Sequence, residues 1–237
     1  MGGTALVTGA ARRIGRAIAL ALADRGYDIA LHYGSSAEAA RTTASDIEAR
    51  GRACHLFPCD LGRFDEVRRL VPAVAAKCPD LSVLVNNASI FEKGSLLGTD
   101  ADLFDRQFAI NLKVPFFLAQ DFARHCKAGS IVNLVDQRIT RSDPAYLAYT
   151  LTKKALASLT EMAARELAPR IRVNGVCPGL ILPPEGKDAS HLERLAAGVP
   201  MKATGSPEKV AAAVIYLVES DYVTGQLLFV DGGEHLV

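Results

Sequence analysis

The sequence predicts an α/β fold: one doubly wound domain over residues 1–237, with a seven-stranded parallel sheet and helices on both of its faces. Three observations predict it. Short β-branched or apolar runs alternate with longer stretches whose apolar positions recur every three or four residues. Runs such as "SVLVNNA" and "SIVNLV" are apolar nearly throughout, as parallel strands covered on both sides must be. A glycine-bearing turn, "TGAARRIG", follows the first apolar run directly.

In chain order, the strand candidates are 4–7, 28–32, 53–57, 83–85, 130–134, 172–176 and 227–230. The clearest of them, 4–7, 83–85 and 227–230, are short apolar or β-branched runs. Between them, helical periodicity covers roughly 14–25, 36–50, 63–77, 101–126, 147–167 and 207–219. Right-handed crossovers then place ligands at the carboxyl ends of the strands. One long segment, 180–206, lacks clear periodicity and carries Pro183, Pro184, Gly186, Gly198, Pro200 and Gly205. Such a stretch is either a flap over a site or a surface excursion, and its place after a strand end favours the flap.

Composition narrows the partners. The chain has 237 residues, 27 basic and 26 acidic side chains and a formal charge of +1. No overall field draws it to nucleic acid or to an anionic membrane, so a small molecule is the expected partner. Cys54, Cys59, Cys78, Cys126 and Cys177 are scattered, without a CxxC pair or metal-ligand spacing, which predicts reduced thiols, a cytoplasmic location and no metal site. The apolar segments fall short of the ~20 residues that span a bilayer, and the first strand starts at Thr4 without a charged-then-apolar leader, so nothing predicts export.

The turn has the right context for a phosphate: strand, then Thr8-Gly9, then a helix starting near Ile14 and passing Gly15. Glycine lets the backbone approach a diphosphate while N–H groups at the helix start face its charge. A tight turn needs glycine for steric reasons as well, so the turn alone decides nothing. Further along, Asn86-Asn87-Ala88-Ser89 follows the fourth strand, Asn111 lies in the fourth helical stretch, and Tyr149 precedes Lys153 by four positions on one helix face. A free phenol titrates near 10; a neighbouring ammonium favours phenolate, so Lys153 is expected to lower the value for Tyr149 and make it a usable general acid.

Together these motifs resemble the short-chain dehydrogenase/reductase family, from Thr4 to Asp231-Gly232-Gly233. The resemblance implies a Rossmann-type fold, catalytic roles for Asn111, Tyr149 and Lys153, and a homotetramer formed through the two long helices and the C-terminal segment. Lys153 would hold the nicotinamide ribose and Asn111 a proton-relay water. It further implies a dinucleotide lined by Gly9, Arg12, Arg13, Ile14, Gly15, Asn87, Ala88, Ser89, Pro178 and Gly179, with Asp60 and Leu61 at the adenine. Read from position alone, Asp60 is also an N-cap for the helix starting near Arg63.

The chain departs from the family at the position thirteen before the tyrosine. The usual serine, which polarises a carbonyl, is here Asp136, in "NLVDQRIT". An ionised carboxylate cannot donate to a carbonyl oxygen and repels the developing oxyanion, whereas a carboxyl group suits a substrate that needs a proton on nitrogen. Alternatively Asp136 is a loop-forming aspartate and the chain a degenerate or carbonyl-reducing member.

Arg13, Asp136 with Tyr149, "NNASIF", Tyr146 and "DGGEHL" together resemble the pteridine reductases and dihydromonapterin reductases. In that subgroup an arginine replaces the turn's middle glycine and faces both cofactor phosphate and pterin. By that resemblance Arg13, Ser89, Phe91, Asp136 and Tyr149 form the substrate site for a pterin or folate, with Phe91 stacking on the ring. Phe91 equally suits a core position at a loop base. At the end of the second strand, Gly34-Ser35-Ser36 offers no carboxylate before Glu38; Arg12, Ser35 and Ser36 supply a cation and two hydroxyls, which favours NADPH as cofactor. The protozoan pteridine reductases carry an arginine where this chain has Ser35, so the phosphate clamp rests on Arg12 or Arg41. Ser36 also suits an N-cap.

Overall fold

Strands form where β-branched and apolar residues alternate in facing. In the computed structural model, which describes residues 2–183 and 189–237, they are β1 (Thr4–Val7), β2 (Asp28–Tyr33), β3 (Cys54–Pro58), β4 (Leu81–Asn86), β5 (Gly129–Leu134), β6 (Ile171–Pro178) and β7 (Leu227–Val230). All pair in parallel in the order β3-β2-β1-β4-β5-β6-β7, so the winding reverses between β1 and β4 and opens a crevice at their carboxyl ends. Seven parallel strands and helices on both faces agree with the fold class the sequence predicts.

The period-2 facing of the strands makes two cores. Ala5, Val7, Ile29, Leu31, Val83 and Val85 point to one face, where they meet Ile18 and Leu22 of α1 (Arg13–Asp24), Ile47 of α2 (Ala37–Glu48) and Val210 and Val214 of α8 (Pro207–Glu219). Leu6, Ala30, Leu84 and Ile131 point to the other, against Leu70 and Val74 of α3 (Phe64–Lys77) and Leu118 and Phe122 of α5 (Val114–His125). Each fully buried side chain of this size contributes about 1.5–3 kcal/mol. Such a frame holds the strand ends rigid, and the site is built on those ends.

The stretch read as one helix over 101–126 is three segments. α4 (Ala101–Phe108) passes through a π-helical turn, Ala109–Lys113, into α5. Wide turns of this kind cluster at functional sites. α6 (Leu147–Leu167) matches its expected bounds. Segment 180–206 holds a helix that its Gly and Pro content concealed, α7 (Ala189–Ala196); Pro184 and Gly186 lie outside the described residues. Leu180, Ile181, Leu182, Leu192 and Leu195 line the cleft at the strand ends, so the segment borders the site. Among the described residues no helix is long and apolar enough to cross a membrane. All five cysteines are free, four of them buried, and burial pushes the thiols of Cys54 and Cys177 up to about 12.

One buried polar residue ties the crevice together. His32, near the end of β2, accepts the Gly9 N–H at Nδ1 (3.0 Å), and its Nε2 lies 3.0 Å from the Cys59 carbonyl. Accepting at Nδ1 fixes the neutral tautomer that donates from Nε2. Burial holds this imidazole down at about 4, against an ordinary 6.5. The unfolded chain therefore binds a proton that the folded chain refuses. This contribution is complete above about pH 6.5 and is lost as pH falls towards 4, by about 3 kcal/mol in all. In His32→Gln, whose amide keeps both hydrogen bonds without titrating, we expect urea unfolding at pH 7 and pH 4 to differ by about 3 kcal/mol less than in the wild type; an equal acid loss in both would remove His32 from this role.

Candidate active site

The turn after β1 is shaped by sterics first. Gly9 has φ +63°, in the left-handed region, and a Cβ at Gly15 would lie 2.2 Å from the Gly9 carbonyl and 2.6 Å from Asn87 Nδ2. Thr8 and Asn87 lock the turn to β4. The Asn87 and Ala88 N–H groups donate to Thr8 Oγ1 at 2.9 and 3.0 Å, and Asn87 Nδ2 donates to the carbonyls of Thr8 (2.8 Å) and Gly9 (3.3 Å). α1 begins with Arg12 as N-cap and without a side-chain cap, and it has no acidic residue in its first turn. A helix start left without a capping carboxylate or hydroxyl is fit for an anion.

Arg13 stands where that turn would take another glycine, and it adopts φ +55°. A left-handed backbone costs a non-glycine residue about 1–2 kcal/mol, so the arginine is kept for its side chain. Its Nη2 donates to the Pro183 carbonyl at 2.8 Å, joining the turn to the start of segment 180–206, and the guanidinium lines the cleft.

At the other side of the crevice, β5 runs through Val135 into Asp136, which caps a 3-10 turn, Gln137–Thr140. Asp136 Oδ1 accepts from the Arg138 N–H at 2.8 Å and Oδ2 accepts from the Tyr149 hydroxyl at 2.7 Å. Both oxygens act as acceptors. The Tyr149 phenol is pushed well above its usual range, by burial first and by the Asp136 carboxylate next. This reverses the lowering expected from Lys153. The ammonium sits 5.7 Å from the ring centroid, with Nζ donating to the Leu134 carbonyl at 2.8 Å, and burial brings Lys153 itself down to about 8. Tyr149 is therefore a hydrogen-bond donor held by Asp136, and phenolate is disfavoured.

Asn111 sits in the π-helical turn, buried. Its Oδ1 accepts from Ser89 Oγ (3.0 Å) and the Ile90 N–H (2.9 Å), while Nδ2 donates to the Ile90 carbonyl (2.9 Å) and Thr152 Oγ1 (3.3 Å). All four hydrogen-bonding positions of the amide are taken by protein. It braces the loop after β4 against α6, and its side chain has no site left for a relay water.

Phe91 lies at the surface of the cleft, 43% exposed, so it is not a core residue. Its ring stacks on Tyr146 (4.4 Å between centroids, 6° between planes) and meets Tyr149 edge-on at 4.6 Å. The Arg138 guanidinium lies 4.8 Å from the Tyr146 ring and is paired with Asp143 at 2.6 Å. The result is a cleft of about 330 Å³ with a flat aromatic wall and an acid–phenol pair at its base.

Of the sequence-predicted residues, Arg13, Ile14, Asn87, Ser89, Phe91, Asp136, Tyr149, Lys153, Pro178 and Gly179 line this one cleft. Gly9, Gly15, Ala88 and Asn111 stand behind it as supports. Arg12, Ser35, Ser36 and Asp60 follow the carboxyl ends of β1, β2 and β3, and Leu61 packs against the second core. Asp60 is not an N-cap: Arg63 holds that position for α3, and Asp60 Oδ1 accepts from the Gly62 N–H two residues on, at 2.9 Å. Ser36 does sit at the N-cap of α2, with no side-chain cap bond. Sequence reasoning missed Gln137, Arg138 and Glu234 in the cleft wall. Their signal was adjacency alone, next to Asp136 and within "DGGEHL".

The family model described as Enoyl-(Acyl carrier protein) reductase matches residues 9–235. The chain belongs to the short-chain dehydrogenase/reductase family. Within it, the chain is 36% identical to Pteridine reductase 1 of Leishmania tarentolae over 277 residues, covering 98% of this chain and 96% of the relative. It is 33% identical over 244 residues to the 3-oxoacyl-(acyl-carrier-protein) reductase FabG of Staphylococcus epidermidis, covering all of both. Among solved structures it is similar to the FolM Alternative dihydrofolate reductase 1 of Brucella suis, crystallised in complex with NADP: TM-score 0.94, 36% identity, 99% of this chain and 96% of that one.

Arg13→Gly separates backbone strain from side-chain use. We expect relief of about 1 kcal/mol, a melting temperature raised by about 2–4 °C, and binding of the dinucleotide weakened at least tenfold. A variant that melts lower and binds as tightly as the wild type would contradict this reading of position 13.

Proposed function

We propose that this short-chain oxidoreductase uses NADPH to reduce a C=N bond of a pteridine, taking a dihydropterin or dihydrofolate to the tetrahydro form and, on the same chemistry, accepting fully oxidised pterins. The observation that carries the reading is the 2.7 Å hydrogen bond from the Tyr149 hydroxyl to Asp136 inside the cleft. Reducing C=N adds a hydride to carbon and a proton to nitrogen. An acceptor-only carboxylate offers nothing to a ketone oxygen, but together with a phenol that keeps its proton it forms a pair able to pass a proton to a ring nitrogen, directly or through water. Lys153, buried beside the pair, offsets the charge of the carboxylate, and the proton given to the ring is replaced from solvent so that Tyr149 returns to the phenol its surroundings hold.

NADPH supplies the hydride when bound. The residues fit it: Gly9, Arg12, Arg13, Ile14 and Gly15 shape the uncapped start of α1 for the diphosphate. Ser35 and Ser36, with Arg12 or Arg41, meet the additional phosphate without an opposing carboxylate before Glu38. Asn87, Ser89, Pro178 and Gly179, which line the cleft, would hold the nicotinamide half with Ala88 behind them, and Asp60 with Leu61 would border the adenine. A pterin ring lies flat against Phe91, with Ser89 and Arg13 at its edges. The NADP-bound Brucella relative and the protozoan pteridine reductase support the assignment. The FabG relatives favour a second reading, reduction of a ketone, and Asp136 in place of serine argues against it.

Assay of NADPH oxidation with dihydrobiopterin, dihydromonapterin or dihydrofolate tests both readings. At least one is expected to be turned over, and Tyr149→Phe and Asp136→Ala each to lose about 10²–10⁴-fold in kcat/KM. Turnover of a 3-oxoacyl thioester with none of any pteridine would assign the second reading.

A further inference from the structure

The turn that follows Asp136 is short. Gln137–Thr140 is a single 3-10 turn, held internally by the Ile139 N–H on the Asp136 carbonyl at 3.3 Å, the Arg141 N–H on the Arg138 carbonyl at 3.0 Å and Thr140 Oγ1 on the Gln137 carbonyl at 3.0 Å. Hydrogen bonds of this geometry are poor, and so short a turn needs support from outside. Before Asp136 the chain is fixed by β5, where the Val135 N–H donates to the Val176 carbonyl at 2.8 Å, and Ile139 packs against Val135, Leu156 and Cys177. The two ends of the turn are fastened by one residue from the far end of the chain, Glu234.

Gln137 Nε2 donates to Glu234 Oε1 at 3.0 Å, across 97 residues of sequence. Arg141, just past the turn, donates to the Glu234 carbonyl and lies 3.6 Å from Oε1. Glu234 is held in its turn by Asp231, whose carboxylate accepts from the Gly233 N–H at 3.0 Å and the His235 N–H at 2.8 Å, and whose carbonyl accepts from the Glu234 N–H at 3.2 Å. Glu234 Oε2 packs on Gly179, where a Cβ would come within 2.7 Å of it, so the bare backbone at 179 leaves the carboxylate its place. Gln137 is 3% exposed and Glu234 8% exposed. A buried amide that loses its acceptor must turn to find another, and Gln137 adjoins Asp136, so the start of the turn and the Asp136 carboxylate move with it.

We propose that Glu234 is a positioning residue: by accepting from Gln137 and Arg141 it clamps the turn after β5 and fixes the Asp136 carboxylate against the Tyr149 hydroxyl. The C-terminal turn thereby becomes part of the machinery without touching substrate. This deepens the reading of Tyr149 and Asp136 as the proton-delivering pair and rests on that reading for its effect on turnover.

A readout that needs no substrate tests the clamp. The Cζ resonance of Tyr149 is followed by NMR in the protein labelled with carbon-13 at the tyrosine Cζ, and is assigned by its absence from Tyr149→Phe. In Glu234→Ala it is expected to move towards its position in Asp136→Ala, where the hydrogen bond is gone. In Glu234→Gln, whose Oε1 still meets the Gln137 amide, it is expected to return towards wild type. In turnover of a dihydropterin, Glu234→Ala is expected to lose about 10- to 100-fold in kcat with KM and NADPH affinity within about twofold, the cost of misplacing a reacting group by about 1 Å, and Glu234→Gln to recover most of that loss. A Tyr149 resonance unmoved in folded Glu234→Ala overturns the proposal, as does a shift equally large in Glu234→Gln. Should Glu234→Ala not fold, Gln137→Met cuts the same bond from its other end and is read in the same way. A shifted resonance in Glu234→Ala, with no pteridine turned over even by the wild type, would remove the assigned reaction and leave the clamp standing.

Discussion

Everything chemical in this molecule depends on the hydrogen bond between the Tyr149 hydroxyl and Asp136. It converts two side chains that would each be ordinary into a unit. Burial and the facing carboxylate keep the phenol protonated, and each oxygen of Asp136 accepts one hydrogen bond, from that phenol and from the Arg138 N–H. The common arrangement of the family, with a serine at that place, directs a donor at a substrate oxygen. Here that place holds a carboxylate that accepts from the phenol and offers a substrate oxygen no donor of its own.

The fold exists to hold that unit against the dinucleotide crevice. Asp136 comes off β5 and Tyr149 from the first turns of α6, so their meeting depends on the register between β5, β6 and the helix above. The π-helical turn carrying Asn111 and the Thr8–Asn87 lock keep the loop after β4 in place beneath Phe91. His32 does the same for the glycine turn from the opposite side of β1. Arg13, with Lys202 one of two non-glycine residues at positive φ among the described residues, joins the turn to the start of the segment beyond β6. The neighbouring turn is fixed by Gly9, at φ +63°, and by Gly15, where a Cβ would lie 2.2 Å from the Gly9 carbonyl.

Much of this was legible in the sequence, for identifiable reasons. Strands such as Val83–Val85 and Ser130–Leu134 read clearly because continuous apolar runs have few other uses, and only their ends moved by a residue or two. The site residues were legible where chemistry narrows the choice: Asp136 for serine and Arg13 for glycine are departures that local structure does not require. Other features depended on three-dimensional context. α7 is eight residues between Pro- and Gly-rich flanks, too short for periodicity to register. The wide turn at Asn111 reflects packing between α4, α5 and α6. The direction of the Tyr149 shift was misjudged because spacing on a helix showed Lys153 nearby but not the depth of burial or the closer carboxylate. Glu234 reaches the cleft only through the fold of the C-terminal turn over Gly179, which no local pattern announces.

The central claim is that a carboxyl group beside the phenol selects nitrogen over oxygen as the proton acceptor. Replacing that group by the common hydroxyl, in Asp136→Ser, and measuring kcat/KM for a dihydropteridine and for a 3-oxoacyl thioester in parallel tests it most directly. The expected result is a fall of about 10²-fold or more on the pteridine with a gain on the ketone. A variant that reduces the pteridine as well as the wild type does would contradict the account.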